Sequence, residues 1–259
     1  MTAPTWISRG RRNAACLVGI ALLLAAPAPA PSSGAPAPRT AVAPAPSGAA
    51  HARAGTGVRT LYLVRHGLYD EVDPRDPDVG KHLVPEGREQ ARLVAERLAA
   101  LPVRITALHA STMTRARETA EVIAKTLSLR PRLSTDLREC TPPFRPVDFR
   151  VRLFRGEQVA CRDRIDRAFA RYFRPSALRD SSEVLVCHGN VIRYLCCRAL
   201  GIEPHVWNRM WIANCSLTTI QIRPDGTMKL VGLNDVGHLP PSLQTYAAPP
   251  RAPAGAARN

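Results

Sequence analysis

No apolar run in this 259-residue chain reaches the length of a membrane-crossing helix. The longest apolar stretch, Ala14–Ala26, has thirteen residues, against the roughly twenty that a membrane-crossing helix needs. No Cys-x-x-Cys pair occurs among the seven cysteines, so the usual spacing of a structural metal site is missing. No Lys/Arg block with interleaved aromatics appears, which removes the signature of a nucleic-acid surface, and no nucleic-acid partner is expected. Internal repeats are absent as well. The first 57 residues hold no acid at all, only five arginines.

That first segment has its own logic. Arg9, Arg11 and Arg12 precede Ala14–Ala26, and Ala-Pro repeats with small-residue sites such as Ala26-Pro27-Ala28 follow. A basic start, a short apolar core and a small-residue exit read as a secretory signal over residues 1–28 and predict an exported, periplasmic or extracellular protein. Two alternatives stay open. An uncleaved segment would anchor the chain to a membrane, and an Arg-rich, acid-free start also suits a mitochondrial transit peptide. Residues 29–57 are rich in Ala, Pro, Gly and Ser without apolar periodicity, and are expected to be a disordered spacer. Residues 241–259, with four prolines, read the same way.

Between these ends lies one expected domain, 58–240. It carries a net charge of +8, which suits an anionic substrate as well as a basic solvated face. Leu61–Val64 reads as a buried strand that ends on Arg65-His66-Gly67, and ligands of open α/β sheets gather at such C-terminal strand ends. Pro85 opens a helix whose Ala91, Val94, Ala95 and Leu98 recur at helical spacing. Val103–His109 is read as a second strand, and Ser111 and Thr112 as caps of the next helix, which carries Ala116, Ala120 and Ile123 on one face. Arg132–Ser134 is a short strand before Asp136-Leu137-Arg138-Glu139. Residues 157–173 are read as helix, Glu183–Cys187 as a strand ending on His188-Gly189-Asn190, and Val191–Leu200 as helix. Leu217–Arg223 and Thr227–Leu233 form a hairpin around Pro224-Asp225-Gly226. Strands alternating with helices imply an α/β domain with a largely parallel sheet. The six cysteines outside the leader, Cys140, Cys161, Cys187, Cys196, Cys197 and Cys215, permit disulfides in an exported protein, but buried free thiols are the expected state.

Two strands thus end in His-Gly, and Arg115 stands in the first helical turn after another. Two arginines, two histidines and helix N-termini at one sheet edge suit a phosphoryl group. Leu63-Val64-Arg65-His66-Gly67, Pro85-Glu86-Gly87-Arg88-Glu89-Gln90-Ala91, Ser111-Thr112-Met113-Thr114-Arg115-Ala116, Asp136-Leu137-Arg138-Glu139 and Cys187-His188-Gly189-Asn190-Val191-Ile192-Arg193 follow one another as in a known family. Through them the chain resembles the histidine phosphatase, or phosphoglycerate-mutase-like, superfamily. Met113-Thr114-Arg115-Ala116, Asn190-Val191-Ile192-Arg193-Tyr194 and Ile222-Arg223-Pro224-Asp225-Gly226 narrow the likeness to its branch of mitochondrial protein-serine/threonine phosphatases.

The resemblance implies a three-layer sandwich, with a central, mostly parallel sheet between helices. It implies hydrolysis of phosphomonoesters through a phosphohistidine at His66. Arg65, Arg115 and His188 would clamp the phosphate, the Gly189 N–H would add a donor, and Glu139 would serve as general acid and base. No cofactor and no metal are implied. The substrate is expected to be phosphoserine or phosphothreonine in a protein; a small phosphomonoester of the cell envelope and a catalytically inactive binding scaffold are the competing readings. Departures from the family pattern are Val84 where a capping Thr is common and Cys140 where Gly is more usual after the acid. Thr141–Arg155 is expected to form a lid whose Arg150 and Arg152 face the pocket mouth and favour acidic substrates. His82, His109, His205 and His238 have no motif around them and are read as structural. Oligomeric state cannot be carried over.

Overall fold

The computed structural model describes residues 55–144 and 155–245. Six strands form one sheet in the order β3-β2-β4-β1-β5-β6. They are β1 Arg59–Arg65, β2 Ile105–Ser111, β3 Pro131–Ser134, β4 Ser181–Cys187, β5 Leu217–Ile222 and β6 Met228–Asp235. The first four pair in parallel, β5 pairs antiparallel with β1, and β6 antiparallel with β5, so the sheet is mostly parallel as expected. The helices are α1 Pro85–Ala99, α2 Thr114–Leu127, α3 Arg155–Tyr172 and α4 Gly189–Leu200.

Strand alternation sends side chains to two separate cores. Leu61 and Leu63 of β1 join Leu185 and Cys187 of β4 in one cluster with Ile165 of α3 and Val191, Ile192 and Leu195 of α4. Tyr62 and Val64 join Val184 and Val186 in the other, against Ala91, Val94 and Leu98 of α1 and Ala116, Ala120 and Ile123 of α2. A central strand buried on both faces shows no polar alternation, which is why Leu61–Val64 reads as a continuous apolar run. Helices on both faces of the sheet give the three-layer sandwich.

Several boundaries differ from the sequence reading. The second strand is Ile105–Ser111, two residues later than Val103–His109, because β4 sets the register: Ala107 pairs with Glu183 and Ala110 with Val186. Val103 lies outside the strand, partly exposed. Ser111 and Thr112 do not cap α2. Met113 holds that position without a side-chain hydrogen bond, since Ser111 ends the strand and its hydroxyl is engaged elsewhere. Val84 likewise precedes α1 with no side-chain cap, and Pro85 opens the helix. Ordered structure also reaches past both ends of 58–240. Gly57 bridges Ser176, and Gln90 Nε2 donates to the Leu243 carbonyl at 2.7 Å.

Cys140 and Cys161 form a disulfide, which corrects the expectation of free thiols for this pair. Cys187, Cys196, Cys197 and Cys215 are free and buried. The bridge joins the segment after Asp136-Leu137-Arg138-Glu139 to α3 and closes a loop with a sequence separation of 21. Loop closure of this length stabilises by roughly 3 kcal/mol. Accordingly, Cys140→Ser/Cys161→Ser is expected to lower Tm by several degrees. Alkylation under denaturing, non-reducing conditions should leave both cysteines unmodified in the parent. Labelling of both, with an unchanged Tm, would show that the bridge does not form.

The leader 1–28, most of the spacer 29–57, Arg150 and Arg152 of the expected lid, and the tail from 246 lie outside the described residues. Phe144, within the segment Thr141–Arg155 expected to form a lid, packs edge to face on Trp207 with ring centroids 5.9 Å apart. No helix among the described residues is long and apolar enough to cross a membrane.

Candidate active site

The C-terminal ends of β1, β2 and β4 meet the N-termini of α2 and α4, and the site lies there. His66 follows β1 directly, its N–H continuing the ladder to the Cys187 carbonyl at 3.0 Å. The chain then turns against the start of α1. A Cβ on Gly67 would lie 2.4 Å from the Gly87 carbonyl oxygen, and one on Gly87 would lie 1.9 Å from that of Leu68. Only glycine at both positions permits this approach.

His66 is 2% exposed, and both its ring nitrogens are engaged. Nδ1 is 2.8 Å from the Gly67 carbonyl, which can only accept, so Nδ1 carries the proton. Nε2 therefore holds the lone pair and accepts from Arg115 Nε at 3.1 Å. Burial first, then the charges of Arg65 and Arg115, hold the imidazole pKa well below its ordinary value despite the Gly67 hydrogen bond. His66 is thus neutral, with an available Nε2 lone pair, at the pH where phosphomonoesters are dianions.

Arg115 is itself buried, its guanidinium over the Tyr69 ring at 4.7 Å. Arg65 donates from Nη1 to the Ile212 carbonyl at 2.6 Å, while its buried Nε has no partner. His188 lies beside His66, ring centroids 5.0 Å apart. Its Nε2 is 2.9 Å from Ser111 Oγ, and the same oxygen accepts from the Met113 N–H at 3.3 Å. Ser111 can still give its hydroxyl proton to His188 Nε2; with that tautomer the buried Nδ1, which has no partner, carries an N–H. Burial and then the neighbouring His66, Arg115 and Arg65 push the His188 pKa well down. His188 is therefore neutral rather than a third cation.

Glu139 comes after the 3-10 turn Thr135–Leu137. Its Oε1 accepts from the Cys140 N–H at 3.1 Å, and the Asn190 side chain donates to the Cys140 carbonyl at 3.0 Å. The first turn of α4 therefore holds the acid's loop. Burial raises the Glu139 pKa, outweighing the Cys140 and Asn190 backbone N–H groups and the charges of Arg115 and Arg65. Gly189 opens α4 beside Arg65, where a Cβ would lie 3.7 Å from Arg65 Nε.

Arg65, His66, Arg115, Glu139, His188 and Gly189 are thus gathered at one end of the sheet. Branch 1 of the histidine phosphatase superfamily matches residues 61–142 and 145–236. The chain belongs to that superfamily. This histidine phosphatase is 43% identical over 197 residues to the Caenorhabditis elegans protein named serine/threonine-protein phosphatase Pgam5, mitochondrial, covering 74% of this chain and 68% of that one. It is 39% identical over 193 residues to the human protein of the same name, covering 72% and 66%. Among solved structures it matches a Plasmodium falciparum phosphoglycerate mutase at a TM-score of 0.51 and 27% identity, over 71% of this chain and 95% of the other. A putative alpha-ribazole-5'-P phosphatase from Escherichia coli shares the fold, at a TM-score of 0.55 and 18% identity over 68% and 97%. Family and relatives make the chain a phosphatase acting on phosphoric monoesters.

Supporting residues escaped the sequence reading. Asn214 Nδ2 donates to the His66 carbonyl at 3.0 Å, and the Cys215 N–H to that of Arg65 at 3.0 Å. Thr119 Oγ1 accepts from the Gly67 N–H at 3.0 Å. These contacts come from residues 52 to 150 positions away from the ones they hold, and no local pattern announces them.

Proposed function

We propose that this phosphatase removes phosphate from phosphoserine or phosphothreonine in proteins, with His66 as the nucleophile. The observation that carries the mechanism is the His66 tautomer: Nδ1–H on Gly67, and the Nε2 lone pair facing Arg115. A phosphate oxygen would take over the Arg115 N–H and uncover Nε2. Arg65 Nε and His188 Nδ1–H, both without partners, supply further donors. The Nε2 lone pair then forms the N–P bond as the ester P–O bond breaks, and protonated Glu139 gives its proton to the leaving oxygen. In the second half the Glu139 carboxylate takes a proton from water. That water bonds to phosphorus, and the N–P bond breaks to restore neutral His66. The buried guanidiniums counter the charge of the transferring group, where electrostatics dominate.

The protein substrate is supported by the names of the Caenorhabditis and human relatives. The same names favour the mitochondrial alternative for residues 1–28 over export. Turnover of p-nitrophenyl phosphate compared with a phosphopeptide panel tests the substrate class. A preference for small phosphomonoesters over every phosphopeptide would reverse it. Because Arg65 and Arg115 supply the positive charge, catalysis is proposed to need no metal ion. EDTA should leave the rate unchanged, and vanadate should inhibit. Activity lost to chelation and restored by one divalent ion would refute the metal-free reading.

A further inference from the structure

The sheet face beneath α3 and α4 is apolar along most of its length, with Leu61, Leu63, Leu185 and Cys187 in its core. At its other end the same alternating positions turn polar. Arg59 is two residues before Leu61, and Glu183 is two before Leu185. His109 and Arg132 sit opposite each other on β2 and β3. Four neighbouring strands thus contribute Arg59, Glu183, His109 and Arg132. With Arg171, Tyr172 and Arg174 at the end of α3, they line a cavity of about 260 Å³. Arg59 opens β1 and Arg65 closes it, so at about 3.3 Å per residue the cavity floor begins some 20 Å from the catalytic arginine.

We propose that this cavity is a second binding site, for a compact oxyanion carrying two or more negative charges. Its lining holds four arginines against one carboxylate, and that carboxylate is already committed. Glu183 Oε1 lies 3.6 Å from Arg59 Nε and its Oε2 3.5 Å from His109 Nε2. Burial alone would raise the Glu183 pKa, but contact with His109 and Arg59 outweighs it and keeps the group ionised. Arg132, Arg171 and Arg174 remain as uncompensated charge around the cavity. Two side chains more than nine-tenths buried in its wall also lack hydrogen-bond partners, at His109 Nδ1 and the Tyr172 hydroxyl. Buried polar atoms are rarely left unpaired without a use. Guanidinium forks match the paired oxygens of phosphate and carboxylate alike. The volume suits a small polyanion rather than a large cofactor.

Phosphate-bearing and polycarboxylate ligands share this chemistry, so the test uses both. Imidodiphosphate, which has no ester oxygen to lose, and citrate are titrated separately into full-length protein labelled at its histidine rings, with NMR detection at about 0.15 M salt to suppress weak surface binding. Loss of one signal in His109→Gln assigns His109. His66 and His188 report the catalytic pocket in the same spectra. A saturable shift of the His109 signal is expected with at least one anion, and the responding anion identifies the ligand class. Arg132→Ser/Arg171→Ser/Arg174→Ser, which alters exposed side chains, should weaken that binding at least about tenfold. Its p-nitrophenyl phosphate turnover should stay within about twofold of the parent. If the triple variant does not fold, Arg171→Ser and Arg174→Ser singly carry the comparison. A His109 signal that neither anion moves, or equal affinity in the folded variants, overturns the proposal.

Discussion

His66→Ala is expected to abolish turnover, lowering kcat by on the order of 10⁴-fold or more, as removal of a covalent nucleophile does. The physical reason is local. Nε2 is the atom freed for attack by the Gly67 carbonyl, which fixes the proton on Nδ1, and it faces Arg115. His188 instead has its Nε2 tied to the Ser111 hydroxyl at 2.9 Å. Rapid quenching with labelled substrate should trap phosphate on His66, in the acid-labile, base-stable form of a phosphoramidate, and the variant should trap none. Since the ring is buried, a circular dichroism spectrum must first show that the variant folds. A folded His66→Ala protein with near-parent turnover would discard the mechanism.

Glu139→Gln separates the two halves of the reaction. A carboxyl whose pKa burial raises matters most, as a general acid, where the leaving oxygen is a poor one. For a phosphoserine peptide, kcat/KM should fall by about 10²–10⁴-fold, the usual worth of a positioned general acid. For p-nitrophenyl phosphate, whose leaving group needs no proton, the fall in kcat/KM should stay within about tenfold. The second half still needs the base, so this substrate should give a burst of p-nitrophenol followed by slow turnover. The pH profile has a worked sign. The acid must be protonated, so kcat/KM for the peptide should decline as pH rises through the elevated Glu139 pKa. His66 must be neutral, so the acidic limb should lie below the ordinary imidazole range. In Glu139→Gln the alkaline limb should vanish and the acidic one remain. Equal losses on both substrates, with the alkaline limb intact, would reassign Glu139 to a structural role.

The division between sequence and tertiary structure is visible residue by residue. Leu61–Val64 and Glu183–Cys187 were legible as buried strands because both faces of a central parallel strand are covered, and their His-Gly ends were legible because the chemistry sits in consecutive residues. The amphipathic spacing of α1 and α2 was legible for the same local reason. What sequence could not fix was decided by partners far along the chain. The β4 ladder moved β2 two residues on, and that shift put Ser111 on a strand end beside His188 instead of on a helix cap. Cys140 and Cys161 carry no spacing that marks them as a pair; the packing of α3 beside the acid's loop brings them together. Asn214 and Thr119 look ordinary in sequence and hold the backbone of His66 and Gly67 in space.

The protonation states followed the same division. Sequence alone determined that two arginines, two histidines and a carboxylate would meet, because residue type and strand-end position are local properties. Only the tertiary structure decided that the His66 and His188 pKa values fall well below the ordinary imidazole value and that the Glu139 pKa rises. A pKa is set by burial and by neighbouring charge, and both are properties of the folded chain.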